Sequence, residues 1–287
     1  MPELPEVESV RRGLAEHLPG SRVLSISSLH PRAVSKDSIA PLTSLQGLTI
    51  DQIRRRGKFL WFTFRRDEHV LISHLGMSGQ FRVLIGRHEM KQPQHPHVRM
   101  SATLRRKGKE FRLDFLDQRT FGWLRVDRLG EEGGDGIPDS IRHIAPDPFE
   151  ADFDLRYVIG RLGSKRSEIK RAILDQSTLS GVGNIYADEA LWRARIHPER
   201  LATGLSEKEL RTLLTSIRTV MRRALDAGGT SFDHLYVNVN GESGYFSNRL
   251  AVYGREGERC RRCSRVVKRI SFTNRSSHFC PHCQRLR

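Results

Sequence analysis

Hydrophobic and polar positions follow three rhythms along this chain. In PEVESVRRGLAEHL, residues 5–18, the apolar residues Val7, Val10, Leu14 and Leu18 recur at helical spacing with charges between them. That spacing predicts an amphipathic helix with one buried stripe. From Arg22 to about Arg128 the period shortens to runs such as VLSIS, KFLWFTF, HVLISHL, QFRVLI, VRMSATL, EFRLDFL and WLRV, each bounded by turn or charged residues. Such runs read as short strands, so residues 1–130 are expected to form a β-sandwich or barrel-like domain with the helix attached. The strand signal stops at LGEEGGDGIPDSIRHIAPDPFE, rich in Gly, Pro and Asp, and residues 131–150 read as an interdomain linker.

A helical period then returns in EIKRAILDQ, in NIYADEALWRARI and in a longer helix opened by Ser206 and Glu209 as a capping box. This last helix is expected to bury Leu210, Leu213, Leu214, Ile217, Val220, Met221 and Leu225 and to end at Gly228 and Gly229. The predicted class is α+β, with a helical domain over 151–247 and a small cysteine-bound module over 248–287. At 287 residues the chain is long enough for two domains with real cores.

Charge changes the picture. Lys and Arg number 49 against 33 Asp and Glu, a net charge of +16, which points to a polyanionic partner, most often nucleic acid. The excess is focused: Cys260 to Arg287 holds eight Lys or Arg and no Asp or Glu. No run of about 18 apolar residues occurs and the N-terminus lacks a signal-peptide core. A cytoplasmic protein without a membrane partner is therefore expected.

Cys260 and Cys263, then Cys280 and Cys283, make C-x2-C-x16-C-x2-C, the spacing of two tight turns that close one tetrahedral zinc site. Four protein ligands leave no open position, so one structural Zn2+ is expected to fold the module. His278 and His282 read as surface or phosphate-contacting residues. The strands between the pairs would carry TNRSS at a hairpin tip, from which Arg275 projects. In LDQSTLSGVGNIYADEAL a helix ends, glycines make a tight turn and Asn184 stands before the next helix. This exposes backbone N–H groups suited to a phosphate oxygen, or makes an ordinary capped helical hairpin. Arg166 and Lys170, four residues apart, are expected to share one helix face and extend the basic surface. At the N-terminus Pro2, Glu3 and Glu6 fit a helix first turn, where acids meet the dipole.

MPELPEVE at the N-terminus, RRGK ending at Lys58, HLGMSG at 74–79, DQRTFG at 117–122, GVGNIYADEAL at 181–191 and the terminal CPHCQ together resemble bacterial formamidopyrimidine-DNA glycosylase, in family order over nearly the whole chain. The resemblance implies a β-sandwich domain, a helix-two-turn-helix domain and a β-hairpin zinc finger. It implies excision of oxidised purines from double-stranded DNA and strand cleavage at the abasic site by β,δ-elimination, in a monomer. Pro2 would be the nucleophile, its α-amino group titrating near about 7.7–8.0, and Glu3 the general acid, with Glu6 holding the amine or a water. Lys58 would assist β-elimination and Arg275 δ-elimination. Met77, Arg119 and Phe121 would fill the gap left by the flipped nucleotide. His74, His95, Asn184 and Tyr245 would contact the DNA backbone, Tyr245 from a base-capping loop. Gln118 and Thr120 depart from the usual DPRRFG, which bears on loop stiffness and opposite-base preference.

Two rivals remain open at this level. The sister family endonuclease VIII acts on oxidised pyrimidines, usually opens PEGPE and lacks this wedge set. A non-catalytic binder of damaged DNA would have no use for Pro2, Glu3 and Lys58 together.

Overall fold

The computed structural model describes residues 2–91, 94–130, 136–228 and 250–286. Two compact units emerge, Met1–His143 with Gly228–Gly244 and Ile144–Ala227 with Tyr245–Arg287.

In the first unit α1 (Leu4–His17) is followed by β1 (Arg22–Ser28), β2 (Ile50–Arg56), β3 (Phe59–Phe64), β4 (His69–His74), β5 (Gly79–Ile85), the short α2 (Arg87–Lys91), β6 (Val98–Arg106), β7 (Lys109–Asp117) and β8 (Trp123–Arg128). The strands form two antiparallel four-stranded sheets, ordered β1-β6-β7-β5 and β2-β3-β4-β8. Alternation explains the sandwich. Met100, Ala102 and Leu104 of β6 share one buried face, and with Phe81 and Phe115 they join Ile53, Phe62, Leu71 and Val126 in one core. The stripe Val7, Val10 and Leu14 of α1, continued by Leu18 at its C-cap, belongs to the same core. β3 is buried on both faces, which is why KFLWFTF reads as a continuous apolar run: Trp61 lies behind the sheet under the Arg54 guanidinium, 5.7 Å from the ring centre. Residues 136–143 return along β8, with Gly130 N–H donating to Ile137 O and Ser140 N–H to Asp127 Oδ2, and bury Ile137 and Ile141.

The second unit contains α3 (Leu155–Gly163), α4 (Ile169–Leu174), α5 (Asn184–Ala194), α6 (Glu207–Asp226) and a hairpin of β9 (Lys268–Phe272) and β10 (Arg275–Phe279). The chain is thus α+β throughout. The α6 capping box is made as expected, Glu209 N–H donating to Ser206 Oγ and Ser206 N–H to Glu209 Oε2, and every apolar residue expected to face inward is buried. Arg195 ends α5 in the left-handed region at φ 61°, a position usually given to glycine.

α5 is the hub of this unit. The Glu189 carboxylate on its inner face accepts the N–H groups of Ala251, Val252 and Tyr253. This fixes the chain where it enters the cysteine module, although burial holds the Glu189 pKa above the ordinary range. Trp192, one turn on, donates its indole N–H to Cys260 Sγ at 3.4 Å and carries the Arg262 guanidinium on its face at 4.1 Å. No helix among the described residues is long and apolar enough to cross a membrane.

Candidate active site

At the start of the first unit, Pro2 is buried and Glu3 and Glu6 are each 2% exposed. Glu3 is the N-cap of α1, its N–H donating to Glu6 Oε2 at 2.9 Å, and the two side chains complete a capping box. Glu6 therefore fixes the backbone that bears Pro2 and Glu3. Behind them, Glu8 receives Arg11, Arg12 and Arg55 and ties α1 to β2. Burial pushes its carboxyl up, but the arginines overcome this and hold it at about 2.

Lys58 is buried beside Gly57, whose φ of 55° makes the tight β2–β3 connection. His74 ends β4 in a ladder of rings, 5.0 Å from Phe59 and stacked on Trp123 at 5.9 Å and 17°. Its Nδ1 accepts the Gly76 N–H at 3.1 Å. Burial, reinforced by the Lys58 charge, holds its pKa at about 4, so His74 is neutral at pH 7 with Nε2–H left as a donor. His95 is exposed, with Nδ1 accepting the His97 N–H, and partial burial with the charges of His97 and Arg82 holds it below its ordinary pKa.

Met77 and Phe121 are 43% and 60% exposed, unusual for large apolar side chains. Arg119 lies beside Met77, its Nη1 4.0 Å from Met77 Sδ. These side chains are displayed rather than packed, so core filling does not explain them.

In the second unit the four cysteine sulfurs lie within 4.8 Å of one another, with Cys263 and Cys280 at 3.5 Å. That is too long for a disulfide and close to the roughly 3.8 Å edge of a tetrahedron with Zn–S bonds of about 2.3 Å. Burial and the neighbouring sulfurs push the Cys283 thiol up to about 12, so a central cation is what would let four thiolates share this space. The residues fit one structural zinc, with Trp192 and the Arg262 N–H directed at Cys260 Sγ.

Arg275 is exposed at the hairpin tip, next to a turn in which Thr273 has φ 52°. Asn184 is the first residue of α5, with Gly183 as the N-cap. Its amide donates to Ser276 O at 3.1 Å while its buried Oδ1 has no partner among the described residues. Arg166 is exposed and precedes α4.

Two expectations are corrected. Lys170 does not extend a basic surface with Arg166. It is 0% exposed, its Nζ 2.6 Å from Asp188 Oδ1, donating to Ser276 O at 3.0 Å and lying over the Phe272 ring at 5.3 Å. α4 begins only at Ile169, so the two cations share no helix face. His278 is likewise interior, its N–H and Nδ1 both against Asp188 Oδ2, whereas His282 is exposed. Tyr245 lies outside the described residues. Asp188 and Glu189 were missed as organisers, although both stand inside GVGNIYADEAL and an acid pair on a buried helix face is itself a signal.

A sandwich with acids sunk at its first helix, followed by a helical unit and a four-cysteine hairpin, matches family models in chain order. The formamidopyrimidine-DNA glycosylase N-terminal domain matches residues 1–124, the formamidopyrimidine-DNA glycosylase H2TH domain 144–235, and the zinc finger found in FPG and IleRS 257–286. The molecule is thus a DNA glycosylase of the helix-two-turn-helix class, acting in base excision repair of damaged bases, with one structural zinc. A formamidopyrimidine-DNA glycosylase of Mycobacteroides abscessus is 52% identical over 100% of this chain and 99% of its own. Solved structures of Lactococcus lactis Fpg are 34% identical and cover 99% of this chain. They include complexes with abasic-site DNA (TM-score 0.83, 99% of that chain), of a mutant with Fapy-dG DNA (0.84, 100%) and with oxidised-pyrimidine DNA (0.83, 100%). The chain belongs to the formamidopyrimidine-DNA glycosylase family.

Proposed function

We propose that this chain excises oxidised purines, 8-oxoguanine and formamidopyrimidines, from double-stranded DNA and then cleaves the strand at the abasic site, using Pro2 as a covalent nucleophile. The observation that carries the reading is the burial of Pro2, Glu3 and Glu6 together. Burying carboxylates is costly, and a helix cap alone works at the surface.

With Met1 removed, the Pro2 nitrogen attacks C1′ and the C1′–N bond to the base breaks, the electron pair leaving with the base. Glu3 gives a proton to the ring oxygen as the C1′–O4′ bond opens. The resulting iminium nitrogen carries no proton and stays cationic, so it draws electrons from C2′. Loss of a C2′ proton expels the 3′ phosphate, and a second elimination expels the 5′ phosphate. Lys58 assists the first and Arg275 the second, each cationic where phosphate departs. Water then releases the sugar fragment and restores the amine.

Met77, Arg119 and Phe121 fill the vacated stack, in keeping with their exposure, and His74 offers a neutral N–H to the backbone. His95, Arg166, Asn184 and Tyr245 are proposed backbone contacts. Abasic-site and Fapy-dG DNA in related structures support this substrate class. An oxidised pyrimidine in another makes lesion range a point to measure. The working unit is a monomer.

Borohydride trapping on a duplex with 8-oxoguanine opposite cytosine tests the reading, beside Pro2→Gly and an N-terminally blocked protein. A covalent adduct in the wild type that disappears on blocking is expected. An adduct on oxidised-pyrimidine duplexes alone would overturn the purine assignment. Binding without an adduct on either would overturn the covalent mechanism.

A further inference from the structure

The two loops that display Met77, Arg119 and Phe121 converge on one buried carboxylate. Asp117, at the end of β7, is 1% exposed. Its Oδ1 accepts the Ser78 hydroxyl at 2.5 Å and the Arg119 N–H at 3.2 Å, and its Oδ2 accepts the Gly122 N–H at 2.6 Å. The Arg119 N–H also faces Ser78 Oγ at 3.2 Å. One side chain thereby bridges the loop after β4 to the loop before β8. It is itself anchored through its backbone, its N–H donating to His97 O and its carbonyl accepting from Arg99 Nε.

Two independent features show how tightly the loops are joined. A Cβ on Gly76 would stand 2.4 Å from both the Gly122 nitrogen and the Phe121 carbonyl carbon, so the backbones touch where no side chain fits. Thr120, between Arg119 and Phe121, is held at φ 54°, an uncommon and costly conformation for a β-branched residue. Such strain persists only where surrounding contacts over-determine it. The ring closed by Asp117 from Arg119 to Gly122 is that contact set.

We propose that Asp117, with Ser78, is a positioning residue that locks both loops into one rigid wedge, so that Met77, Arg119 and Phe121 enter the duplex as a unit. The inference rests on the proposed gap-filling role of those three side chains. Locked loops bear their ordering cost during folding, whereas separate loops bear it at each encounter with DNA. In Asp117→Asn an amide N–H replaces one acceptor and faces a donor, on Gly122 or on Ser78 and Arg119, and a buried donor is left unmade.

The test compares a substrate that needs the wedge with one that does not. A single strand has no stack to open and no widowed base to contact, so an abasic single-stranded oligonucleotide demands the nucleophile only. With Asp117→Asn, single-turnover excision from an 8-oxoguanine:cytosine duplex is expected to fall about tenfold to hundredfold, while borohydride trapping on the abasic single strand stays within about twofold. Ser78→Ala should give a smaller loss in the same pattern, about threefold. In a Met77→Ala, Arg119→Ala, Phe121→Ala background, Asp117→Asn should add less than about twofold to the loss, because the residue acts through the wedge. Unchanged duplex excision, equal losses on both substrates, or a full additional loss in the wedge-free background would each overturn the proposal. A wild-type protein that forms no adduct on the single strand would refute the covalent chemistry beneath it.

Discussion

Replacing Lys170 by Met tests whether the interior of the second unit is held by charge. Lys170 and Asp188 are both fully buried and 2.6 Å apart. Asp188 also receives the Ser277 hydroxyl at 2.8 Å and the His278 N–H at 2.8 Å, and Lys170 donates to Ser276 O. Removing one member of a buried pair costs about 3–5 kcal/mol, because the remaining charge loses its compensation. The two donors left to Asp188 put Lys170→Met at the lower end, about 3 kcal/mol. The effect should be local to β10, which holds three of the network's partners. Amide exchange in a peptide covering 275–279 should therefore quicken by about 150-fold, since each 1.4 kcal/mol is a factor of ten. A peptide from β6 in the sandwich should not change. Lys170→Met with Asp188→Asn should recover part of the protection, since a neutral amide leaves no uncompensated charge while its oxygen still accepts one of the two remaining donors. Exchange at 275–279 altered by less than about fivefold, or altered equally in β6, would refute the reasoning.

Two further predictions follow from the sites themselves. The folded pKa of His74, about 4, lies below its unfolded value of 6.5, so the unfolded chain binds more protons between these values. Stability present above pH 6.5 should be lost as pH falls towards 4, by about 2 kcal/mol at pH 5. Denaturant unfolding of the first unit at pH 7.5 and 5.0 should show this loss reduced in His74→Asn; parallel pH dependence in the two proteins would refute it. The chain should contain one zinc by atomic absorption. Chelation should abolish exchange protection in 268–279 while leaving the β6 peptide protected. Cys280→Ala should lower the metal content and His282→Ala should not.

Which of these features could be read from the sequence follows from the range of the forces involved. The stripes of α1 and α6 were legible because a helix buries every third or fourth residue against one surface, a local rule. The cysteine site was legible because two tight turns with fixed spacing leave few other arrangements. Lys170 was misread because spacing along a helix says which residues would share a face, not whether the helix has begun, and α4 starts one residue before it. Its partners, Asp188 and Ser276, are brought to it by tertiary packing, the latter from 106 residues away. Asp117 has the same character: the residues displayed by DQRTFG are distinctive in type, while the acid that holds them is defined by a hydroxyl 39 positions earlier. Side chains that meet DNA must be exposed and chemically particular, and so stand out in a sequence. The acids that aim them are buried and ordinary in type, and only their paired donors reveal what they do.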